Sequence, residues 1–441
     1  MKKILILLAV LLIGGAGYYF GFGAEKATEV LKSRVNVELQ TLQGNGFEIQ
    51  DRKIEAKKEH FILHYSDPVK ISHYFKSKNV DLALEDAQIL KGMKIGVDLS
   101  YLDGVYSALS ADLYPVAFPS SILQEAEAEE KKMMKKIIQE KIFLAHIDIN
   151  KLFSAFKGYL KDIDTTFESE DPLRLRSEGF TFSGAFDGKF LTSSSNEIKK
   201  LSISSKSGIV FDIEDLKGEY EQSAKSLYDF NTEYSIKKIL LRDESNQGAT
   251  IKDLVFAFSG KAKDGLASSD FSLHAKSADI NEPRGKRFLE DVVSKASLEN
   301  LSITALEKME QLDENDTKGF DEAVQELFAK NITLKVDEFS AKKVKEGDSG
   351  KMIDGFSVSS TVKLNKITNF KQLEENPFLL LDMIDATMHM EFSDALYITL
   401  QKQPELALAM LLFSPVSKND KIVFDIEYKN GKLKINGKSA F

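Results

Sequence analysis

Apolar and polar residues alternate along most of the chain beyond residue 46, and this period of two is the dominant pattern in the sequence. Residues 60–65 are one example. Phe356, Val358 and Val362 are another, since they fall on one face of a predicted strand. Such alternation is typical of strands that bury only one face. Because the central strands of a doubly wound nucleotide-binding fold are apolar on both faces, the pattern favours antiparallel sheets instead.

Turn signals separate several of these alternating runs. A two-residue hairpin loop requires positive φ, which Gly and Asn adopt at low cost. The sequence therefore predicts antiparallel hairpins at four dipeptides: Asp103-Gly104, Asp187-Gly188, Ser207-Gly208 and Asn430-Gly431.

Two segments carry helical signals. Residues 121–139 begin with Ser121 and Gln124 in capping-box spacing, with glutamates early and lysines late, as the helix macrodipole favours. Residues 317–330 place Phe320, Val324 and Leu327 on one stripe. We expect a helix in each segment, and several such helices to cover the sheets.

The first residues predict a membrane anchor at residues 1–23. Lys2 and Lys3 precede an uncharged run from Ile4 to Phe22, which at about 1.5 Å per residue reaches roughly 28 Å, close to the ~30 Å hydrocarbon core of a bilayer. The lysines favour a cytoplasmic start and a periplasmic body. A cleaved signal peptide is the alternative. The aromatic residues 18–20 favour retention, because they are typical of a membrane interface.

Composition narrows the function classes. The chain has no Cys, which excludes disulfides, zinc-thiolate sites and thiol catalysis. Its net charge of -9, without a basic cluster, disfavours nucleic-acid binding. No fixed-period repeat is evident by eye. A break near residues 168–172 suggests two periplasmic lobes, residues 24–168 and 169–441, the first containing the helix near residues 121–140.

Candidate chemical motifs are weak. His60 and His64 share a strand face and suggest a metal site, but a zinc-protease helix would need Glu where Phe61 stands, so a polar strand face is the preferred interpretation. Asp313 begins a calcium-loop pattern that fails at its sixth position, Lys318, where Gly is required. No G-x-S-x-G elbow occurs. We therefore predict no catalytic residue, no metal ligand and no cofactor.

Both ends of the chain resemble the YdgA-like family of bacterial inner-membrane proteins. The Lys-flanked apolar start leads into residues 17–21 (GYYFG), and residues 426–438 (IEYKNGKLKINGK) are similar to that family's terminal hairpin. The resemblance implies a retained single-pass anchor, a periplasmic body and a Gram-negative host. The family has no enzymatic activity to carry over.

Together these patterns predict a strand-rich α+β fold: extended, twisted or curved antiparallel sheets, several covering helices and one N-terminal transmembrane helix. Because the alternating strands outnumber the helices, we expect an apolar sheet face that is not fully covered. The side chains expected along this groove are Phe180, Phe182, Phe186, Phe256 and Phe258.

The predicted function is non-catalytic. The protein would act in the cell envelope, attached to the inner membrane, and bind a lipid or an envelope protein. The alternative is a periplasmic hydrolase of cell-wall or lipid substrates, which a deep polar pocket joining His to Ser or carboxylates would favour. The sequence does not specify an oligomeric state.

Overall fold

The structure is a computed structural model that describes eleven stretches of the chain: residues 28–77, 82–103, 106–187, 190–223, 226–283, 285–312, 316–347, 350–367, 376, 378–401 and 415–439. The predicted anchor, residues 1–23, lies outside the described residues. Among the described residues, no helix is both long and apolar enough to cross a membrane.

Strands dominate the described part of the chain, at 58% against 21% helix. Its 22 strands are assigned to an antiparallel sheet. The predicted α+β class is therefore wrong, and so is the expectation of several sheets beneath covering helices. The alternating pattern continues for far longer than the short helical segments that interrupt it. The chain divides into two compact units, unit 1 (Met1–Glu219) and unit 2 (Tyr220–Phe441).

Unit 1 is a meander in which strands that follow one another pair antiparallel. Its strands are β1 (Phe47–Ile54), β2 (Lys58–Tyr65), β3 (Lys94–Tyr101), β4 (Ser107–Ala117), β5 (Ala145–Asn150), β6 (Ala155–Leu160), β7 (Ile163–Phe167), β8 (Leu173–Glu178), β9 (Thr181–Asp187), β10 (Phe190–Ser205) and β11 (Val210–Gln222). The boundary between the two units falls within β11. Consecutive strands pair from β1 to β6. Then β9 pairs with β6, β8 pairs with β7, and both β8 and β9 pair with β10.

In the described part of unit 1, five helices pack on the strands and form a core with them. They are α1 (Thr28–Gly44), α2 (Pro68–Lys76), α3 (Leu84–Ile89), α4 (Ser120–Glu125) and α5 (Ala128–Gln139). Leu39, Ile71 and Ile137 from these helices share one buried cluster with Phe61 and Val97 from the strands. The apolar faces of helices and strands therefore cover each other, as a two-layer packing requires.

The helix predicted over residues 121–139 is two helices, α4 and α5. Ala126 is extended, with φ of -72° and ψ of 141°. Glu127 then caps α5 in a reciprocal capping box with Glu130. The predicted box at Ser121 is wrong because α4 already begins at Ser120, which places Ser121 inside the helix. In unit 2, a helix forms over Thr317–Leu327, where the second helix was predicted, and the Asp316 carboxylate accepts a hydrogen bond from Gly319 N at 2.9 Å.

Unit 2 is a meander of much longer strands. They are β12 (Phe230–Arg242), β13 (Gly248–Lys263), β14 (Leu266–Glu282), β15 (Gly285–Ser302), β16 (Ile332–Glu346), β17 (Ile353–Leu364), β18 (Ile384–Ser393), β19 (Val416–Lys418), β20 (Lys421–Lys429), β21 (Lys432–Ile435) and β22 (Lys438–Ser439). Consecutive strands pair from β12 to β18, β18 pairs with β20, and β20 also pairs with β19 and β21. The helices of this unit are α6 (Ile303–Gln311), α7 (Thr317–Leu327), α8 (Leu379–Asp382) and α9 (Asp394–Leu400).

The predicted hairpins are present where their strands are described. β3 pairs with β4 and β9 with β10, although Gly104 and Gly188 lie outside the described residues. Gly208 has φ of 107°. Asn430 and Gly431 have φ of 50° and 71°, and Lys429 lies opposite Lys432. These values match a two-residue turn whose twist suits paired strands.

The ladder of unit 2 is interrupted at several positions, and one interruption falls at the same place in six neighbouring strands, forming a single row that we call the kink row. It consists of Lys237, Asp253, Lys276, Asp291, Lys342 and Gly355, one residue each from β12 to β17. Asp253 and Asp291 are left-handed, both with φ of 49°. The sequence has the same pattern at the kink row in each of these six strands: two residues stand between two apolar residues. Both of the two are polar, or one is polar and the other is Gly.

The kink row keeps the apolar side chains on one face. Leu289 and Val292 are three residues apart, as are Ala341 and Val344, yet all four belong to one cluster. In an unbroken strand, residues three apart point to opposite faces. The kink therefore shifts the alternation by one residue, so that the apolar face continues past the row.

A repeat recurs that was not evident in the sequence. Asp215, Asp253 and Asp291 are 38 residues apart, each is left-handed, and each precedes Leu or Val. The expectation of no fixed period is therefore wrong for this stretch. The repeat consists only of the polar character of these positions and one Asp, so it is hard to detect from residue identity. After β15 the helices α6 and α7 interrupt the spacing.

Candidate functional site

One face of the unit 2 sheet carries no charge over four consecutive rows of residues. The rows cross β12 to β18 and β20, and their positions follow from the strand register. One row contains Thr232, Phe258, Phe271, Ala296, Val336, Ser360, Met388 and Ile426. The next contains Tyr234, Phe256, Leu273, Ser294, Phe339, Val358, Met390 and Phe424. The other two begin at Phe230 and Ile236. We call these four rows the open apolar face.

Several large side chains of the open apolar face are exposed to solvent. Phe258 is 44% exposed, Leu334 47% and Phe339 45%, with Phe271 and Met388 also exposed. Isolated exposed apolar residues are common on proteins, but contiguous ones usually mark a binding surface. These five share one face of one sheet, so they form such a surface.

Aromatic rings contact one another along the open apolar face. The ring centroids of Tyr234 and Phe256 are 4.9 Å apart and stacked, and those of Phe230 and Phe258 are 5.2 Å apart. Phe339 contacts Phe356 at 5.3 Å. Paired rings at such distances stabilise their own arrangement. These ring contacts therefore support the arrangement of the face itself.

Coverage of this face by the described helices is local. Leu396 and Leu400 of α9 pack on the row next to the kink, against Ala341 and Phe356. Buried members of the face include Leu254 and Ala275 in that same row, and Phe424 at the end of the neighbouring row. The exposed residues lie in the other three rows. Among the residues that the structure describes, unit 2 therefore has the incompletely covered apolar face that was predicted.

The opposite face of the same strands is polar, with charges paired across strands. Lys295 Nζ is 2.9 Å from Glu338 Oε2, and Lys335 pairs with Glu299. Val255 is an apolar exception on this face, 37% exposed. The contrast between the two faces of one sheet shows that the absence of charge is a property of the open apolar face alone.

The sequence-predicted phenylalanines divide between the two units. Phe256 and Phe258 lie on the open apolar face as expected. Phe180, Phe182 and Phe186 belong to unit 1, where Phe182 is partly buried against the core. Sequence alternation could not separate these cases, because both kinds of strand are apolar on one face.

The two histidines considered as metal ligands contact different carboxylates. His60 Nδ1 is 2.6 Å from Asp98 Oδ1, and His64 Nδ1 is 2.8 Å from Glu48 Oε2. Each carboxylate lies directly opposite its histidine on the neighbouring strand. In the part of the chain that the structure describes, no group of three or more His, Asp or Glu side chains is arranged to hold a metal ion.

Sequence reasoning missed two further features of unit 1. His146 Nδ1 is 2.7 Å from Asp112 Oδ1, again a directly opposite cross-strand pair. Glu59 is a buried carboxylate that accepts hydrogen bonds from Arg52 Nε at 2.7 Å and Tyr101 OH at 2.9 Å. Burial, with the Glu59 charge, raises the pKa of Tyr101. Both features depend on strand register, for which the local sequence has no signal.

Ser359, His389 and Asp425 form a cross-strand row on the polar face, an arrangement that resembles a hydrolase triad. They line an open cleft of about 530 Å³. His389 Nδ1 is 2.6 Å from Asp425 Oδ1, the orienting contact of such a triad.

The second nitrogen of His389 is engaged elsewhere. In a triad, Nε2 accepts the serine proton, but here it is 3.3 Å from Glu391 Oε1. The hydrogen bonds to Asp425 and then Glu391 raise the pKa of His389. Both carboxylates therefore stabilise the charged imidazolium form of His389. The row is therefore better explained as a charge pair than as a catalytic site.

Comparison of the chain with family models, with curated proteins and with solved structures gave no match.

Proposed function

We propose that this protein is anchored in the inner membrane by residues 1–23 and uses the open apolar face, in the periplasm, to bind the apolar part of an amphipathic ligand. The observation that carries the proposal is the absence of charge over four rows that include exposed Phe258 and Phe339. In a chain with 29% charged residues, an exposed charge-free surface is costly unless it is covered in use.

The alternative, a periplasmic hydrolase, is less well supported. The described residues offer only the Ser359, His389 and Asp425 row, whose imidazole Nε2 is engaged with Glu391. A bound ligand is therefore proposed as cargo or signal and not as a substrate.

The test compares two substitutions on the same strand of the full-length protein. Phe258→Asp places a charge on the open apolar face, whereas Val255→Asp places one on the opposite face at similar exposure. Both variants keep the same anchor, so lipid bound to the anchor is the same in each. Mass spectrometry of the detergent-extracted proteins measures copurified lipids and proteins together.

We expect Phe258→Asp to stay folded and to retain several-fold less ligand, and Val255→Asp to match the wild type. The proposal is wrong if the two variants retain equal amounts. It is also wrong if Phe258→Asp alone abolishes folding, because the residue would then belong to a closed core.

The anchor has its own test. N-terminal sequencing of the mature protein should find Met1 or Lys2, and a reporter fused after Phe441 should be active only in the periplasm. A mature protein that starts between residues 16 and 25 would show that the segment is a cleaved signal peptide.

A further inference from the structure

We infer that the open apolar face binds long acyl chains that lie across the strands, and that it selects its ligand by chain length and not by headgroup. This inference rests on the proposed function and adds the class of ligand to it. The occupant is thus a long-chain lipid, in preference to a second copy of the chain or a partner helix.

The dimensions of the face suit an extended acyl chain. Its rows cross eight strands, which at about 4.8 Å per strand spacing is roughly 34 Å. Successive rows on one face are about 7 Å apart, so the three rows with exposed residues are roughly 14 Å wide. Because two leaflets of acyl chains make up a ~30 Å bilayer core, one chain is about half as long as a row. Each row is therefore long enough for a chain lying flat.

The chemistry of the face also matches an acyl chain. A methylene chain has no charge and no hydrogen-bonding group, so it loses nothing by lying on an uncharged surface. The polar groups of the four rows are hydroxyls only, from Thr232, Tyr234, Ser269, Ser294, Ser360 and Tyr428. A protein interface of this size would carry about ten hydrogen bonds and a polar rim. The face thus complements hydrocarbon better than it complements a peptide.

Headgroup selectivity requires groups that the face lacks. Phosphate is recognised in proteins by Arg, Lys or clustered backbone N–H groups. None of the four rows contains Lys or Arg, and the backbone N–H groups there take part in the strand ladder. Binding energy must then come from the number of methylenes that leave water, which makes chain length the quantity that the site measures.

The chain has no Trp, so a single introduced Trp reports on one place. In the full-length protein, Phe258→Trp puts the reporter on the open apolar face and Val255→Trp puts a matched control on the opposite face. Both are titrated in detergent, at constant micelle concentration, with phospholipids brominated on the acyl chain, because bromine quenches a Trp that it touches. One series varies chain length over about 8, 12 and 16 carbons. The other compares phosphatidylethanolamine with phosphatidylglycerol at one length.

We expect quenching of Phe258→Trp and none of Val255→Trp. Each added pair of methylenes should tighten binding, by up to about 15-fold if both leave water for the face and by less if they leave a micelle. The affinities for the two headgroups should differ by less than about 3-fold, which is the range expected when no specific charge contact is made.

The outcomes separate the inference from the proposed function. Quenching that does not depend on chain length, or a tenfold headgroup preference, overturns the inference and leaves ligand binding intact. No quenching by any lipid overturns the inference. If the wild-type protein also copurifies no apolar ligand, the proposed function fails with it. If the wild-type protein is a dimer and Phe258→Asp makes it a monomer, the occupant of the face is a second copy of the chain. That result would also overturn the inference.

Discussion

The left-handed backbone at Asp253 predicts that substitutions there will follow backbone preference and not side-chain chemistry. Asp253 has φ of 49° and lies on the kink row, with Lys252 before it in ordinary strand conformation. The left-handed conformation costs an L-residue about 1–2 kcal/mol of stability. The cost is lowest for Asp and Asn and highest for β-branched residues. Gly avoids the loss but has more freedom to lose on folding.

These preferences give an ordered series. Asp253→Asn should leave the free energy of unfolding unchanged, and Asp253→Gly should leave it within about 1 kcal/mol, on the stabilising side. Asp253→Val should lower it by about 2 kcal/mol. The control is Lys252→Val, which places the same side chain one residue earlier, where an exposed substitution in a strand should change stability by less than about 0.5 kcal/mol.

Urea unfolding followed by circular dichroism measures the series. With a slope of about 2 kcal/mol per molar, Asp253→Val should lower the midpoint by roughly 1 M and Lys252→Val should barely move it. Equal shifts for these two variants would refute the idea that the kink row depends on a left-handed residue. A stabilising Asp253→Val would refute it more strongly, since Val prefers the extended backbone.

Three further predictions concern other described positions. Gly355→Ala should destabilise unit 2 by at least about 2 kcal/mol in the same assay, because an added Cβ would lie 1.8 Å from Ala341 O; an unchanged midpoint would contradict the tight approach. Gly431→Val should cost on the order of 1 kcal/mol or more, since Gly431 has φ of 71°; an unchanged melting temperature would count against that turn. The NMR titration of His389 should give a pKa above the usual value, and Asp425→Asn should lower it, because Asp425 is the main stabilising partner of the imidazolium. A raised folded-state pKa means that this stabilisation is fully present at acidic pH and is lost as the pH rises through that pKa.

The alternation of apolar and polar residues was sufficient to predict strands, antiparallel pairing and an incompletely covered apolar face. These are local or additive properties. The turn at Asn430 and Gly431 follows from the conformations those residues tolerate, and the shared face of Phe356 and Val358 follows from the period of two. The helix α7 was also predicted, because its apolar stripe of Phe320, Val324 and Leu327 lies within one segment.

Tertiary structure alone decided the rest, because it depends on which strands become neighbours. Whether a one-sided strand is covered depends on the helices that pack on it. Phe182 and Phe258 thus have similar local sequences, but the first packs against the core of unit 1 and the second is exposed in unit 2. The contact between His389 and Asp425 depends on a register between distant residues. The left-handed conformation of Asp253 is set by its place in a row that crosses six strands, where the ladder, and not the residue's own preference, determines the backbone.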